Sequence, residues 1–439
     1  MSPSRPNFRS HIPVLDGMRG IAVLLVIVYH FTAHHVKQSI EPGSFNSVFS
    51  QFFNVGWCGV DLFFVLSGFL ITGILCDAKG ASNYFPKFWM RRILRIFPLY
   101  YGFLLVLFVL VPLAHRYSPL IQQHLAEQRW LWGYGGNFYY SMASHPLIDA
   151  FRLQHFWSLA IEEQYYLIWP FVIFFLQPRA AIRVSLACFA VALALRVILA
   201  AKGCDPIIIW SLTPCRMDGL AVGALCALAA RADFKMNTLL KAVRPITILS
   251  AMGLIAILFW RRTWSWDDRV MESVGISLIS LFCGGILLAA INSSTGTALQ
   301  WLLSCPVLTI FGFYSYAIYV FHFPLIREFN RWFSINRLSL DFHSWFLGLT
   351  VNVACLTIIS LFVAMLSWHL YEKHFLKLKS YFSLVRKTEA SDQSTVNARG
   401  YVRDFFGSWT HDLSFWLKHC PFRPLWKTKL LVHRFCSNI

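Results

Sequence analysis

The sequence predicts an all-α integral membrane protein, a bundle of about ten transmembrane helices with a short cytoplasmic tail. Of 439 residues, 57% are hydrophobic and only 14% charged, and the mean hydropathy is +0.54; a soluble chain of this length carries more charge and shorter apolar runs. Ten stretches, at 12–34, 55–76, 97–114, 156–176, 181–201, 208–230, 243–260, 270–291, 306–326 and 345–370, approach the roughly 20 apolar residues a bilayer span needs. Threading them from an inside N-terminus leaves 18 Lys and Arg in inside segments before the distal tail and 11 in outside loops. That bias puts both termini in the cytoplasm, as expected for a multi-pass protein of a bacterial inner membrane. The net charge of +18 is explained by the membrane, and no nucleic-acid partner is expected.

The first span, "LDGMRGIAVLLVIVYHF", keeps Arg19 and His30. An ionisable group at mid-bilayer costs about 2.5–3.5 kcal/mol on insertion scales, so a retained one points to function. Eleven residues separate the two. That is close to three helical turns, about 16 Å of rise on one face. Arg19 is expected near the cytoplasmic end and His30 deeper, toward the outer half.

The second span, "GVDLFFVLSGFLITGIL", carries Asp61, able to orient an imidazole or to pair with an arginine, and Ser67 and Gly68, small enough for close helix approach. Before the third span, "FWMRRILRIFPLYY" places Arg91, Arg92 and Arg95 at spacings that share a helix face. Guanidinium forks suit phosphate, although arginines at a cytoplasmic helix end also serve as topology anchors. The fourth span opens from outside with "HFWSLAIEEQYYLIWP", where Ser158 and Glu162 share a face and Glu163 points elsewhere. Arg216 and Asp218 stand at the outer end of the sixth span, His322 lies in the ninth, and Glu372 ends the tenth within reach of the Arg91–Arg95 group.

The longest outside connection, His115–Gln154, is rich in aromatic residues and reads either as a lid or binding surface or as an interfacial belt. None of the eleven cysteines has metal-site spacing, and no metal is expected; Cys204 and Cys215, both near the outer face, are candidates to pair. No cleavable signal peptide is visible. Residues 381–400 read as a linker. In 401–439, Val402, Phe405, Phe406, Trp409, Leu413, Trp416 and Leu417 recur at helical spacing, a basic amphipathic cytoplasmic tail lying on the inner leaflet.

Taken in order, "LDGMRGIAVLLVIVYH", "GVDLFFVLSGFLIT", "RRILRIFPLYY", "FWSLAIEEQYYLIWP", "CRMDGLAVGAL", "YSYAIYVFHFPL" and "YEK" resemble the acyltransferase-3 family of membrane acyltransferases, which O-acylate cell-surface and exported carbohydrates. The resemblance covers about residues 12–379 and implies a ten-helix domain over 1–380. It also implies a cytoplasmic acyl-CoA donor, acetyl-CoA being the expected one, and a carbohydrate or glycolipid acceptor. Two features depart from it. Many relatives carry a fused SGNH hydrolase-like domain, and none is expected after residue 380; His374 stands where the last motif usually has proline.

These residues then take roles. His30 is the expected base, with Asp61 or Glu163 orienting the imidazole or the acceptor. Arg19, Arg91, Arg92 and Arg95 are expected to hold the CoA, and Ser158, Glu162, Arg216 and His322 the acceptor, with the two groups on opposite sides of a hydrocarbon core about 30 Å thick. The competing class is a transporter or flippase, since intramembrane charges also mark transport pathways. A receptor or scaffold would leave the buried charges without a task.

Overall fold

The computed structural model describes residues 12–36, 53–81, 83–114, 117–142, 145–232, 236–294, 296–330 and 332–382. The proposed tail helix and most of the linker lie outside them. Among the described residues the structure is helical, with no strand. The long helices are α1 (Pro13–Val36), α2 (Gly59–Ala78), α3 (Tyr84–Leu105), α4 (Phe156–Phe175), α5 (Pro178–Ala201), α6 (Thr213–Arg231), α7 (Met236–Arg261), α8 (Ile276–Ile291), α9 (Pro306–Phe313), α10 (Ser315–Phe329) and α11 (Trp345–Ser367).

Eight segments are long and apolar enough to cross a membrane, or nine if the α9–α10 pair, bent by 75°, is one span. The chain is therefore a multi-pass membrane protein. The tenth expected span is α4, which is 20 residues long but falls outside that set. Glu162, Glu163 and Gln164 break its apolar run. The third span also differs from expectation. The helix starts at Tyr84, well before 97, and runs through a π-turn at Val106–Leu110 to Ala114. At 1.5 Å per residue, Arg92 and Arg95 therefore sit about 12–17 Å inside the helix, not at its N-terminal end.

Burial ranks the helices. In the apolar windows of Val55–Ala78 and Pro206–Arg231, 67% of residues are buried, against 17% for Pro178–Ala201 and Met236–Arg261. So α2 and α6 form the centre, while α5 and α7 expose apolar side chains such as Val197, Leu249 and Phe259 as a lipid-facing surface would. The α2–α6 contact is the most extensive in the molecule. Small residues permit it: a Cβ at Gly68 would fall on the Leu220 carbonyl, and one at Gly223 on that of Val65. α1 lies against α2 on one side and α9 on the other, which carries Arg19 and His30 into the bundle.

Candidate active site

A cavity of about 120 Å³ opens between α1, α2, α3, α4 and α10. Arg19, Arg92 and Arg95 line it together with Glu162 and Glu163. Ser67, Tyr166 and Tyr316 add hydroxyls, and Ser158 and Tyr319 line it as well. Ser67 bonds the Tyr166 hydroxyl at 2.6 Å, and Tyr166 donates to Glu162 Oε2 at 3.2 Å. Arg19 donates to Asp16 at 3.1 Å, one turn earlier on α1. By contrast Arg92 Nε and Glu163 Oε1 are buried with no hydrogen-bond partner. Buried polar groups are nearly always bonded, so such orphans at a cavity wall fit a site that a polar ligand completes.

This arrangement changes several expectations. Glu163 does not point away from Glu162. The cavity takes Ser158, Leu159, Glu162, Glu163 and Tyr166, a two-residue-wide stripe of α4 at i, i+1, i+4, i+5 and i+8. Nor are the expected donor and acceptor groups a hydrocarbon core apart. α3 and α4 run antiparallel, so Arg92 and Arg95 meet Glu162 and Glu163 in one chamber. Arg91 is not part of it; one turn nearer the start of α3 than Arg95, it donates at 3.4 Å to the carbonyls of Lys379 and Phe382. Glu372, buried by the π-turn Trp368–Glu372, bonds Ser367 at 2.9 Å and interacts electrostatically with Arg95.

Arg216 and Asp61, expected at the acceptor and at the imidazole, instead hold each other at 2.8 Å. Both are buried, and neither lines the cavity. The guanidinium lies 4.4 Å from the Trp210 ring centroid and 5.5 Å from that of Trp157. The close α2–α6 packing directs Asp61 to α6 and so leaves it for an arginine, not for His30. Cys204 and Cys215 are free thiols, without the suggested bridge.

His30 meets two further imidazoles. Its ring centroid is 5.0 Å from His322 and 6.3 Å from His155, and Phe323 stacks on it at 4.5 Å. The hydrogen bonds order the protons. His322 Nδ1 faces only carbonyl acceptors, Tyr319 at 2.8 Å and Ile318 at 3.1 Å, so in the neutral ring Nδ1 carries the hydrogen and Nε2 is the acceptor. His30 Nδ1 lies 2.9 Å from that Nε2 and must be its donor. The lone pair of a neutral His30 is thereby left on Nε2. His322, expected to touch the acceptor, acts on the neighbouring imidazole instead.

The cavity and the imidazoles adjoin at Ser158 and Tyr319. Their hydroxyls are 2.5 Å apart, and each reaches the His155 carbonyl, at 3.1 and 3.0 Å. The Tyr319 ring is 5.3 Å from His155 and 5.6 Å from His322. Neither His155 nor Tyr319 was singled out from the sequence. The available signal was spacing: His155 stands three residues before Ser158, and Tyr319 three before His322, so each shares a helix face with a residue that was.

Residues 12–369 match the acyltransferase-3 family model, described as an acyltransferase domain. The chain belongs to the acyltransferase-3 family. Among curated proteins similar to this family member are the peptidoglycan O-acetyltransferase OatA of Listeria monocytogenes, 29% identical over 72% of this chain and 50% of that protein, and the O-acetyltransferase OatA of Staphylococcus aureus, 28% over 74% and 52%. The putative peptidoglycan O-acetyltransferase YrhL of Bacillus subtilis is 30% identical over 83% of this chain and 54% of its own length. The chain thus spans about half the length of the curated relatives it matches. No solved structure matches. The cavity and the imidazole cluster both lie within the stretch that defines the family.

Proposed function

We propose that this chain is a membrane O-acyltransferase that moves an acyl group, acetyl as the simplest case, from acyl-CoA to a hydroxyl of a cell-surface or exported carbohydrate, glycolipids included. The observation that carries the reading is one chamber lined by three arginines at whose wall a hydroxyl pair meets an imidazole cluster. Arginines suit the phosphates of CoA, because the guanidinium fork matches them in two-point contacts. A hydroxyl is a poor nucleophile until a base takes its proton, and His30 Nε2 is that base. His322 holds the ring in the tautomer that makes Nε2 basic. The printed activity of the relatives, O-acetylation of peptidoglycan in two of the three named, supports a carbohydrate acceptor. Both termini are assigned to the cytoplasm of a bacterial inner membrane on the charge bias of the loops. CoA then enters from the Lys79–Arg95 side and the acceptor from the side of the His115–Gln154 loop.

Sealed vesicles of uniform orientation test this. Acetyl-CoA given at the face bearing Lys79 should support transfer, and the acetylated product should appear at the opposite face. His30→Ala should cut turnover about 10²–10⁴-fold, the usual worth of a positioned acid or base, with insertion unchanged. Near-normal turnover in that variant would remove His30 from the chemistry. Transfer without any acyl-CoA would remove the donor assignment.

A further inference from the structure

The Ser158–Tyr319 hydroxyl pair has a place in the chemistry that the acid–base reading leaves open. The geometry points to these two hydroxyls as the oxyanion-binding pair of the acyl transfer, with Tyr319 a further catalytic residue; this rests on the acyl-CoA reading above. Attack on a thioester turns its carbonyl oxygen into an oxyanion. Aimed hydrogen-bond donors at that oxygen are often the largest single catalytic contribution. The site has to lie between the donor chamber and the base, and the pair does. Both residues line the arginine cavity, and the Tyr319 ring packs against His155 and His322, the latter bonded to His30.

The bonding of the pair also suits the task. Two hydroxyl hydrogens serve three contacts, Ser158 to Tyr319 and each of them to the His155 carbonyl. The His155 carbonyl also faces the Ser158 backbone N–H, at 3.4 Å. Both hydroxyls can therefore turn toward an incoming oxygen without stripping that carbonyl of every partner. Ser158 is held on α4 and Tyr319 on α10, with their hydroxyls already 2.5 Å apart. Phe63, whose ring is 6.1 Å from that of Tyr319, also lines the cavity and keeps its wall apolar where the charge develops, which strengthens such bonds.

The step balances as follows. The acceptor oxygen bonds to the thioester carbon, and its proton passes to His30 Nε2. The carbonyl π pair moves to oxygen, where Ser158 and Tyr319 donate to it. Collapse restores the C=O bond and breaks the C–S bond. The CoA thiolate leaves and takes the proton back from His30.

The full chain in vesicles, given acetyl-CoA labelled with ¹³C at the carbonyl, provides the test, with binding read by equilibrium dialysis and the carbonyl stretch by infrared difference spectroscopy. In wild type the bound carbonyl should absorb at lower frequency than the free thioester. Tyr319→Phe and Ser158→Ala should each lose part of that shift with acetyl-CoA affinity unchanged, and Ser158→Thr should keep it. Turnover should fall about 10²–10³-fold in Tyr319→Phe at unchanged KM for acetyl-CoA, as when one oxyanion donor is removed elsewhere. If acetyl-CoA binds and the shift is the same in wild type and both variants, the oxyanion assignment is overturned while the donor reading stands. If wild type does not bind acetyl-CoA at all, the donor reading falls, and this inference with it. A variant that no longer binds acetyl-CoA although wild type does would place the pair in ground-state binding instead, and overturn the inference too.

Discussion

Arg196 on α5 and Arg92 on α3 are both guanidinium groups inside the bundle, and their surroundings are opposite. Arg196 is fully buried and fully bonded. It reaches Asp218 at 2.6 Å, Ser277 at 2.5 Å, the Ser273 carbonyl at 3.2 Å and the Cys215 carbonyl. Asp218 in turn accepts from Ser277 at 2.9 Å. Arg92 and Arg95 are half-buried at a cavity wall, and Arg92 Nε is buried with no hydrogen-bond partner. A charge brought into a low-dielectric interior is tolerated when its bonds are made. The first region meets that condition with its own residues. The second leaves bonds to be made by something that enters. Missing bonds mark functional charge here only where they face the cavity, because Arg216 Nε and Nη1 and Asp61 Oδ2 are also unpartnered outside it.

The largest effect expected from this contrast falls on the structural region. Asp218→Ala would leave Arg196 buried without its carboxylate, and breaking one side of a buried pair costs about 3–5 kcal/mol. The variant should lose most of its thermal stability in detergent, read as a lower unfolding temperature and poor recovery from the membrane. A variant that melts with wild type would show that the Arg196 cluster carries little of the fold.

The cavity arginines should behave in the reverse way. Arg92→Gln removes a half-buried charge whose Nε the fold leaves unbonded, and Arg95→Gln one whose guanidinium makes no hydrogen bond within the described residues, so the unfolding temperature should change little. Hydrogen bonds to charged groups contribute about 1.5–3 kcal/mol, so each variant should bind acetyl-CoA roughly ten- to a hundredfold more weakly. Dialysis and a melting curve on the same preparation read both quantities. A variant that binds normally but melts early would move these arginines into the structural class.

The same contrast shows where the sequence was readable. Helix positions came through because apolar length is a local property: α1, α2 and α11 lie close to where hydropathy puts them. The close approach at Gly68 was legible for the same reason, a small residue in an apolar run. Pairing was not legible, because it depends on which helices are neighbours. Asp61 reads equally as a partner for an imidazole or for an arginine; its place facing α6 decides for Arg216. Likewise Arg92 and Arg95 read either as phosphate ligands or as helix-end anchors until the helix is seen to begin at Tyr84. The imidazole cluster draws His30, His155 and His322 from three helix segments, and no spacing along the chain encodes that.

The smallest expected effect is the one that best sharpens the boundary between the two regions. Arg91 shares a motif with Arg92 and Arg95 and would be grouped with them on sequence alone. In the structure it donates at 3.4 Å to the carbonyls of Lys379 and Phe382, two long bonds from a half-buried side chain. It therefore ties α3 to the chain that follows α11 and leaves the chamber to its neighbours. Contacts of that kind contribute about 0.5–1.5 kcal/mol each at most, and less when long. Arg91→Ala should lower the unfolding temperature slightly and change acetyl-CoA affinity by less than about threefold, the part of its influence that acts at a distance and is screened by salt. The comparison with Arg92→Gln under the same ionic strength is decisive. If Arg91→Ala weakens acetyl-CoA binding as much as Arg92→Gln does, then all three arginines serve the donor, and bonding to backbone carbonyls fails as a mark of structural charge.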